Sequence, residues 1–308
     1  MNTFEPDLSV RIKSLEMKNP VTVASGTFGQ GDIFKPFYDI RCLGALTTKS
    51  VTLKPRPGNP PPRIAETRSG LLNAIGLQNP GIDVFIKKYK KELEELGTPV
   101  IMSIAGNSAE DYGLLAERIS GEIRIAAIEI NISCPNVKQG GHQFACDLHA
   151  AASVVKAVRA KTSLPLITKL SPNTEQNVDI AKACIAEGTD ALAVINTLKG
   201  MAISLEKRSP LLGNITGGLS GPCVKPVALR WVYELAGNVS VPIIGMGGIM
   251  NGRDALEFIV AGATAVAVGT SNFSDPLSVP RVIGEIKDWL VRNNVKSLNE
   301  LRNTVFRG

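Results

Sequence analysis

The segment 242–269 reads PIIGMGGIMNGRDALEFIVAGATAVAVG and contains one complete repeat of the fold. An apolar run, Pro242–Met246, is followed by a glycine turn, an amphipathic stretch at Ala255–Val260 and a second apolar run, Ala265–Gly269. Strands that are buried on both faces are nearly continuous apolar runs, and two such strands joined by a helix lie parallel. The segment therefore predicts a β-α-β unit in a parallel sheet.

The same alternation extends through the rest of the chain. Six further candidate strands precede this unit, at Pro20–Ser25, Ala45–Val51, Val100–Ala105, Ala127–Ile132, Leu166–Leu170 and Ala191–Asn196. The predicted helices between them lie at Ile82–Leu96, Leu114–Ile119, Leu148–Val158, Val178–Ile185 and Val227–Leu235. The first helix opens with Asn79-Pro80, a capping residue followed by a proline that suits a first helical turn.

Eight parallel strands alternating with helices predict a (β/α)8 TIM barrel. The alternative is an open doubly wound sheet, which usually carries a GxGxxG turn after its first strand. This sequence contains no such turn. Two insertions interrupt the barrel pattern, Thr52–Ala74 after the second strand and Leu198–Gly221 after the sixth. No linker divides the sequence, so we expect residues 1–308 to form a single barrel domain.

The composition excludes several classes of protein. Hydrophobic residues make up 44% of the 308 residues and charged residues 20%, which excludes disordered and collagen-like chains and disulfide scaffolds. Five scattered cysteines without a CxxC pair predict reduced thiols and a cytoplasmic location. The best apolar run is too short for a membrane helix. The net charge of +6 is spread along the chain, so no nucleic-acid partner is expected.

Polar residues and glycines follow the ends of the apolar strands. A buried strand that ends in a polar group predicts a ligand at that end of the barrel. Glycines after the last two strands let backbone N–H groups approach phosphate oxygens, which predicts a ligand that bears a phosphate. The residues concerned are Ser25, Lys49, Ser50, Ser103, Asn131 to Asn136, Lys169, Asn196, Thr197, Gly247, Gly248, Gly269 and Thr270.

Cys134 lies between two amides in the sequence Asn131-Ile-Ser-Cys-Pro-Asn136. A thiol in such a turn is suited to proton transfer or nucleophilic attack. Cys184, in contrast, falls on the apolar stripe of a predicted helix and is interpreted as a core residue. Lys49 and Lys169 come from opposite sides of the barrel, and residue type alone leaves open whether such a lysine stabilises anionic charge or forms a Schiff base. The cysteine spacing matches no iron–sulfur motif, and no metal site is predicted.

Several motifs in order resemble one known family, the class 1 dihydroorotate dehydrogenases. The run Asn73–Gly81 is similar to class 1B in particular, the FMN-bearing catalytic subunit of an NAD-linked enzyme. The resemblance extends from about Val21 to Phe273. The motifs that carry it are Ala24-Ser-Gly26, Asn73-Ala-Ile-Gly-Leu-Gln-Asn-Pro-Gly81, Asn131-Ile-Ser-Cys-Pro-Asn136, Gly217-Gly-Leu-Ser-Gly-Pro222 and Gly245-Met-Gly-Gly-Ile249.

The resemblance implies an FMN-containing barrel that oxidises (S)-dihydroorotate to orotate in pyrimidine synthesis. Cys134 matches the family's base, which removes a proton from C5 while hydride leaves C6 for the flavin. Substrate positions are matched by Lys49, Asn73, Ala74, Ile75, Gly76, Leu77, Asn131, Asn196 and Thr197. FMN contacts are matched by Ser25, Lys49, Ser50, Asn131, Lys169, Ile195, Gly221, Gly247, Gly248, Gly269 and Thr270.

Ser103 departs from the family pattern, which commonly has asparagine near the end of the third strand. A serine keeps a hydrogen-bonding group with a shorter reach, and Ser103 is carried over as a further flavin contact. The chain itself offers NAD no dinucleotide turn. Class 1B resemblance implies a catalytic homodimer with a partner subunit that carries FAD and a [2Fe–2S] cluster and delivers electrons to NAD.

Three other functions stay open on the sequence. Within the redox class, the nearest alternative is a fumarate-linked class 1A enzyme. A non-redox lyase or isomerase of phosphate esters would use Lys169 as a Schiff base, and borohydride trapping with a sugar phosphate would detect it. A non-catalytic barrel would bind a ligand at its polar mouth without turnover.

Overall fold

Parallel strands form the barrel. The computed structural model describes residues 4–132, 144 and 146–305. The eight-stranded sheet within them is built of β1 (Val21–Val23), β2 (Leu46–Thr47), β3 (Val100–Ile104), β4 (Ala127–Asn131), β5 (Leu166–Lys169), β6 (Ala191–Val194), β7 (Ile243–Met246) and β8 (Ala265–Val268). Neighbouring strands run parallel in the order β1-β8-β7-β6-β5-β4-β3-β2. The predicted TIM barrel is confirmed, and each of its eight strands lies within its predicted range, although β2 has two residues where Ala45–Val51 was predicted.

The two edges of this sheet meet between β1 and β2. The N–H of Gly44 donates to the carbonyl of Val21 at 2.9 Å, and the buried hydroxyls of Thr22 and Thr47 lie 3.2 Å apart. Within residues 4–132, no strand ladder joins β1 to β2. The closure is therefore short, because β2 itself comprises two residues.

Helices follow most of the barrel strands and pack against the outside of the sheet. They are α1 (Ile82–Glu94), α2 (Ala109–Glu122), α3 (Leu148–Arg159), α4 (Asn177–Ala186), α5 (Lys225–Ala236), α6 (Gly252–Ala261), α7 (Ser271–Ser274) and α8 (Ser278–Arg292). In the part of the chain that the structure describes, four 3-10 turns lie at Asp32–Phe34, Ile40–Cys42, Pro222–Val224 and Leu298–Glu300. Among the described residues, no helix is both long and apolar enough to cross a membrane.

The helix predictions are confirmed except at the start of α1. The helix begins at Ile82, and its N-cap is Gly81, so Asn79-Pro80 does not start it. Asn79 instead accepts hydrogen bonds from the N–H groups of Gly81 and Thr52, which joins the loop before α1 to the first insertion. Helix α8 was not predicted, although Val279, Val282, Ile286 and Leu290 form a buried stripe along it.

A short hairpin closes the N-terminal end of the barrel. Val10–Ile12 pairs antiparallel with Leu15–Met17, and the side chains of Ile12, Leu15 and Met17 are at most 1% exposed. They belong to one buried hydrophobic cluster with residues of the barrel interior, among them Ala45, Ile101, Ala127, Ile167, Ala191 and Ala265. In the turn of the hairpin, the ammonium of Lys13 pairs with Asp190 at 3.1 Å.

The two predicted insertions are confirmed, and they meet in one antiparallel sheet. This capping sheet has four strands, in the order Leu198–Gly200, Gly217–Ser220, Gly70–Asn73 and Ile64–Thr67. Its small apolar core contains Ala65, Leu72, Ala74 and Leu212. The capping sheet therefore joins segments that lie about 150 residues apart in the chain, as in the pair of Leu71 and Ser220.

Candidate active site

A cavity of about 560 Å³ opens at the C-terminal ends of the barrel strands. Its volume is in the range of sites for cofactors and small molecules. The capping sheet borders it with Leu71, Asn73 and Leu219. The predicted site residues that line this cavity are Ser25, Lys49, Ser50, Asn73, Ile75, Gly76, Leu77, Asn131, Lys169, Ile195, Asn196, Thr197, Gly221, Gly247, Gly248, Gly269 and Thr270.

Two predicted site residues lie behind the cavity wall, and a third falls outside the described part of the chain. Ala74 is fully buried, and its carbonyl accepts a hydrogen bond from the amide of Asn59 at 3.1 Å. Ser103 is fully buried behind Ser50, with their hydroxyl oxygens 2.8 Å apart. Cys134 and the residues beside it, 133 and 135–136, lie outside the described residues.

Amide and hydroxyl groups form the floor of the cavity. Asn131 ends β4 and is in register with Lys169, which ends β5, so the pleat sends both side chains toward the cavity. The amide of Asn131 donates to the hydroxyl of Ser50 at 3.1 Å, and its carbonyl oxygen lies 3.4 Å from the amide nitrogen of Asn196. The hydroxyls of Ser25 and Ser50 are 3.3 Å apart. These groups offer both donors and acceptors to the polar edge of a planar ring.

A buried carboxylate lies beside Lys169. The ammonium of Lys169 is 3.9 Å from Oε1 of Glu129, and both side chains are at most 6% exposed. The carboxylate supplies the opposite charge that a buried ammonium needs. A Schiff-base lysine, in contrast, must be neutral to attack a carbonyl. Of the two chemistries that the sequence left open, the pair favours stabilisation of negative charge.

Glu129 was not predicted as a site residue. Its signal in the sequence was a single carboxylate within the otherwise apolar run Ala127–Ile130, a position where an unpaired charge would be very costly. The partners that explain it, Ser103 and Lys169, are on neighbouring strands and far away in the chain.

The loop 73–77 bends sharply along one side of the cavity. Gly76 has φ +73°, and a Cβ there would lie 2.6 Å from Oδ1 of Asn59, so this position requires glycine. Leu77 follows with φ +56°. The amide of Asn73 donates to the carbonyl of Gly218 at 3.2 Å, which ties the loop to the second insertion. The bend turns Ile75, Gly76 and Leu77 toward the cavity.

Glycines line the part of the cavity beside the ends of β7 and β8, which lie across the ring of strands from β3 and β4. Gly248 has φ +79°, and a Cβ there would lie 2.7 Å from Cβ of Lys225. Gly221 and Gly247 have φ values of +98° and +122°. The hydroxyl of Thr270 donates to that of Ser220 at 2.8 Å, and Ser220, which was not predicted, also lines the cavity. Glycines at such positions let backbone N–H groups approach phosphate oxygens, and the described residues that line the cavity include no acidic side chain, so this part of the cavity suits a phosphate.

The prediction that Cys184 is a core residue is confirmed. Its thiol is fully buried in α4, and burial raises its pKa to about 12. Such a thiol is inert as a base or nucleophile.

Comparisons with known proteins agree with this geometry. A family model described as dihydroorotate dehydrogenase matches residues 7–290. The proteins named "Dihydroorotate dehydrogenase B (NAD(+)), catalytic subunit" of Citrifermentans bemidjiense and Geobacter sulfurreducens are each 54% identical to this chain, over 96% of it and 97% of their own length. The protein of the same name from Trichlorobacter lovleyi is 53% identical, over 97% of this chain and 98% of its own.

Proposed function

The chain belongs to the dihydroorotate dehydrogenase family, and we propose that it oxidises (S)-dihydroorotate to orotate in pyrimidine synthesis, with FMN bound in the barrel cavity. The relatives are named as NAD-linked catalytic subunits, so the electrons pass to NAD through a separate subunit. The observation that carries this proposal is the two-ended cavity, in which glycines line one end and an ammonium, amides and hydroxyls line the other.

The residues present fit FMN. Gly221, Gly247, Gly248, Gly269 and Thr270 would hold its phosphate, because glycines let backbone N–H groups approach phosphate oxygens. The ring would lie on the polar floor, where its edge meets donors and a cation. Ser103 would act on it through Ser50, since its hydroxyl faces that of Ser50 rather than the cavity. The ring contacts would come from Ser25, Lys49, Ser50, Asn131, Lys169 and Ile195.

Dihydroorotate would lie between this floor and the loop 73–77. Its carboxylate is suited to the ammonium of Lys49 and to the backbone of the loop. Its amide edge is suited to Asn73, Asn131, Asn196 and Thr197, because asparagine pairs a donor with an acceptor. Ala74 would support this loop from behind, through the hydrogen bond from Asn59 to its carbonyl.

Proton removal is assigned to Cys134, which follows β4 by three residues in the sequence. The thiolate takes the proton from C5 of dihydroorotate and leaves a negative charge that the neighbouring donors and cations stabilise. When bound, the flavin supplies the acceptor for the hydride from C6.

A homodimer with an electron-transfer subunit completes the proposed enzyme. That subunit would carry FAD and a [2Fe–2S] cluster, because this chain has neither a GxGxxG turn nor cysteine spacing for a cluster. A fumarate-linked enzyme would need no such subunit, so turnover with NAD and with fumarate, each measured with and without it, separates the two acceptors.

The visible spectrum tests substrate and cofactor together. We expect the purified protein to be yellow, to release FMN on denaturation and to bleach when dihydroorotate is added without oxygen. Dihydrouracil, which lacks the carboxylate, is the matched control and should bleach the protein far more slowly. A colourless protein that also fails to bind added FMN would refute the proposal.

A further inference from the structure

A buried carboxylate lies one layer below the floor of the cavity. Glu129 precedes Asn131 by two residues in β4, so both side chains face the barrel interior. It is 3% exposed and does not line the cavity. Ser103 on β3 is directly opposite Glu129 in the sheet register.

Hydrogen bonds connect this carboxylate to the floor in a defined direction. The hydroxyl of Ser103 donates to Oε1 of Glu129 at 2.8 Å, because an ionised carboxylate can only accept. The oxygen of Ser103, its proton used, accepts from the hydroxyl of Ser50 at 2.8 Å. Ser50 in turn accepts from the amide of Asn131 at 3.1 Å. Each donor in this series of hydrogen bonds therefore points toward Glu129.

This direction determines how Asn131 presents its amide. With its NH₂ group donating to Ser50, its carbonyl oxygen faces the amide nitrogen of Asn196 at 3.4 Å. A flipped amide would place that oxygen against the oxygen of Ser50, whose proton already points to Ser103. The hydrogen bond that Glu129 accepts from Ser103 thus excludes the flipped orientation.

The same carboxylate oxygen also faces Lys169. Oε1 of Glu129 lies 3.9 Å from the ammonium and accepts the bond from Ser103. Ser103 takes part in the hydrogen bonds but carries no charge, whereas Glu129 both accepts a hydrogen bond and carries the negative charge beside Lys169. Substitutions at these two residues can therefore separate the orientation of Asn131 from the charge beside Lys169.

We propose that Glu129 is a positioning residue that performs both tasks: it orients Asn131 through Ser103 and Ser50, and it balances the charge of Lys169. The inference rests on the proposed function, because its ligands are the flavin and orotate. It assigns Glu129 two separate effects, on the affinity for orotate and on the reduction potential of the bound flavin.

The test compares E129Q with S103A in the FMN-loaded protein. The readouts are the flavin potential, from dye equilibration at one fixed pH, and the Kd of orotate, from its effect on the flavin spectrum. E129Q removes a negative charge, so we expect at least about a ten-fold shift toward reduced flavin, or about 30 mV for a two-electron couple. S103A should raise the Kd of orotate about ten-fold, the cost of about one misplaced hydrogen bond, whereas E129Q keeps an amide oxygen that accepts from Ser103 and should change this Kd less than about three-fold. S103A keeps the charge and should shift the flavin equilibrium less than about two-fold.

T168V is the matched control. It removes a buried hydroxyl whose bond to Thr189 is 2.7 Å long, on the strand that carries Lys169 but away from the cavity. We expect neither readout to move in this variant. A movement as large as in E129Q would overturn the assignment, because it would reflect general loosening of the barrel.

Other results would also overturn the proposal. A folded, FMN-loaded E129Q with the wild-type potential excludes the charge task, and a folded, FMN-loaded S103A with the wild-type orotate affinity excludes the orientation task. An equal shift of the potential in S103A shows that charge and orientation are not separate. If E129Q does not fold, a folded S103A with wild-type orotate affinity decides against the hydrogen-bond chain. A wild-type protein that binds no FMN refutes the proposed function instead.

Discussion

The two ends of the barrel use the same strands for opposite purposes. At the N-terminal end, the hairpin side chains Ile12, Leu15 and Met17 are buried against alanine and isoleucine. At the C-terminal end, the strands finish in Asn131, Lys169 and other polar groups around an open cavity. Residues that stabilise the fold therefore lie at the N-terminal ends of the strands, and residues that line the cavity lie at their C-terminal ends.

Strand β4 shows this change from apolar to polar side chains within its five residues. Ala127 packs against the apolar end, Glu129 lies in the middle layer, and Asn131 reaches the cavity. Polar groups held for a ligand cost stability, whereas the apolar end supplies it. Substitutions at the two ends should therefore affect different measurements.

The largest effect is expected where the chemistry of the polar end is changed. Cys134→Ser should slow anaerobic flavin reduction by dihydroorotate about 10²–10⁴-fold, since a hydroxyl is a poorer base. The Kd of orotate should change by no more than about three-fold, because the hydroxyl keeps nearly the same size.

Cys42→Ser is the control for this substitution, because Cys42 does not line the cavity. Stopped-flow measurement should give it the wild-type rate of reduction. Equal rates for Cys134→Ser and the wild type would remove Cys134 from the proposed role.

At the apolar end, Leu15→Ala should act on stability alone. Leu15 is 1% exposed, so the substitution should lower the free energy of unfolding by about 2–5 kcal/mol. Urea unfolding checks the loss, and fluorescence titration should show the Kd of FMN unchanged in the folded protein. Leu205→Ala, at a side chain that is 81% exposed, should stay within about 0.5 kcal/mol of the wild type. Weaker FMN binding by Leu15→Ala would show that the two ends are coupled.

The smallest effect is expected for Thr270→Val. This change removes the hydroxyl that donates to Ser220 at the glycine end. It should weaken FMN binding about ten-fold, or about 1.4 kcal/mol, and leave the unfolding midpoint nearly unchanged.

Thr189→Val gives the reverse pattern and serves as the control. It breaks the buried bond to Thr168 and should lower the free energy of unfolding by about 1 kcal/mol without changing the affinity for FMN. If both variants changed the affinity for FMN and the free energy of unfolding to the same extent, ligand binding and stability would not be separable at the level of single hydrogen bonds.

The parts of the fold that local sequence specifies could be predicted. A run such as Leu192–Val194 is apolar on both faces because both faces are buried, and this pattern located the barrel strands. The hairpin Val10–Met17 was missed because its strands have three residues each, too few for an alternating pattern to be distinctive.

The missed features of the site depend on contacts between distant segments. The capping sheet pairs Asn73 with Gly218, and nothing near either residue specifies that pairing. Glu129 similarly acquires its role from Ser103 and Lys169, on the strands to either side. The glycines and amides around the cavity were predicted because they directly follow strand ends, where the barrel topology brings them together.

The short closure between β1 and β2 has a consequence for the motions of the barrel. Since β2 has two residues, the seam beside Thr22 and Thr47 should be the place where the sheet opens most readily, and its amide protons should exchange with water early. Ser25 and Ser50, two and three residues after the ends of these strands, both line the cavity. A ligand bonded to both serines would stabilise the closure between β1 and β2. Binding in the cavity would therefore slow amide exchange at this closure as well as at the C-terminal ends of the strands.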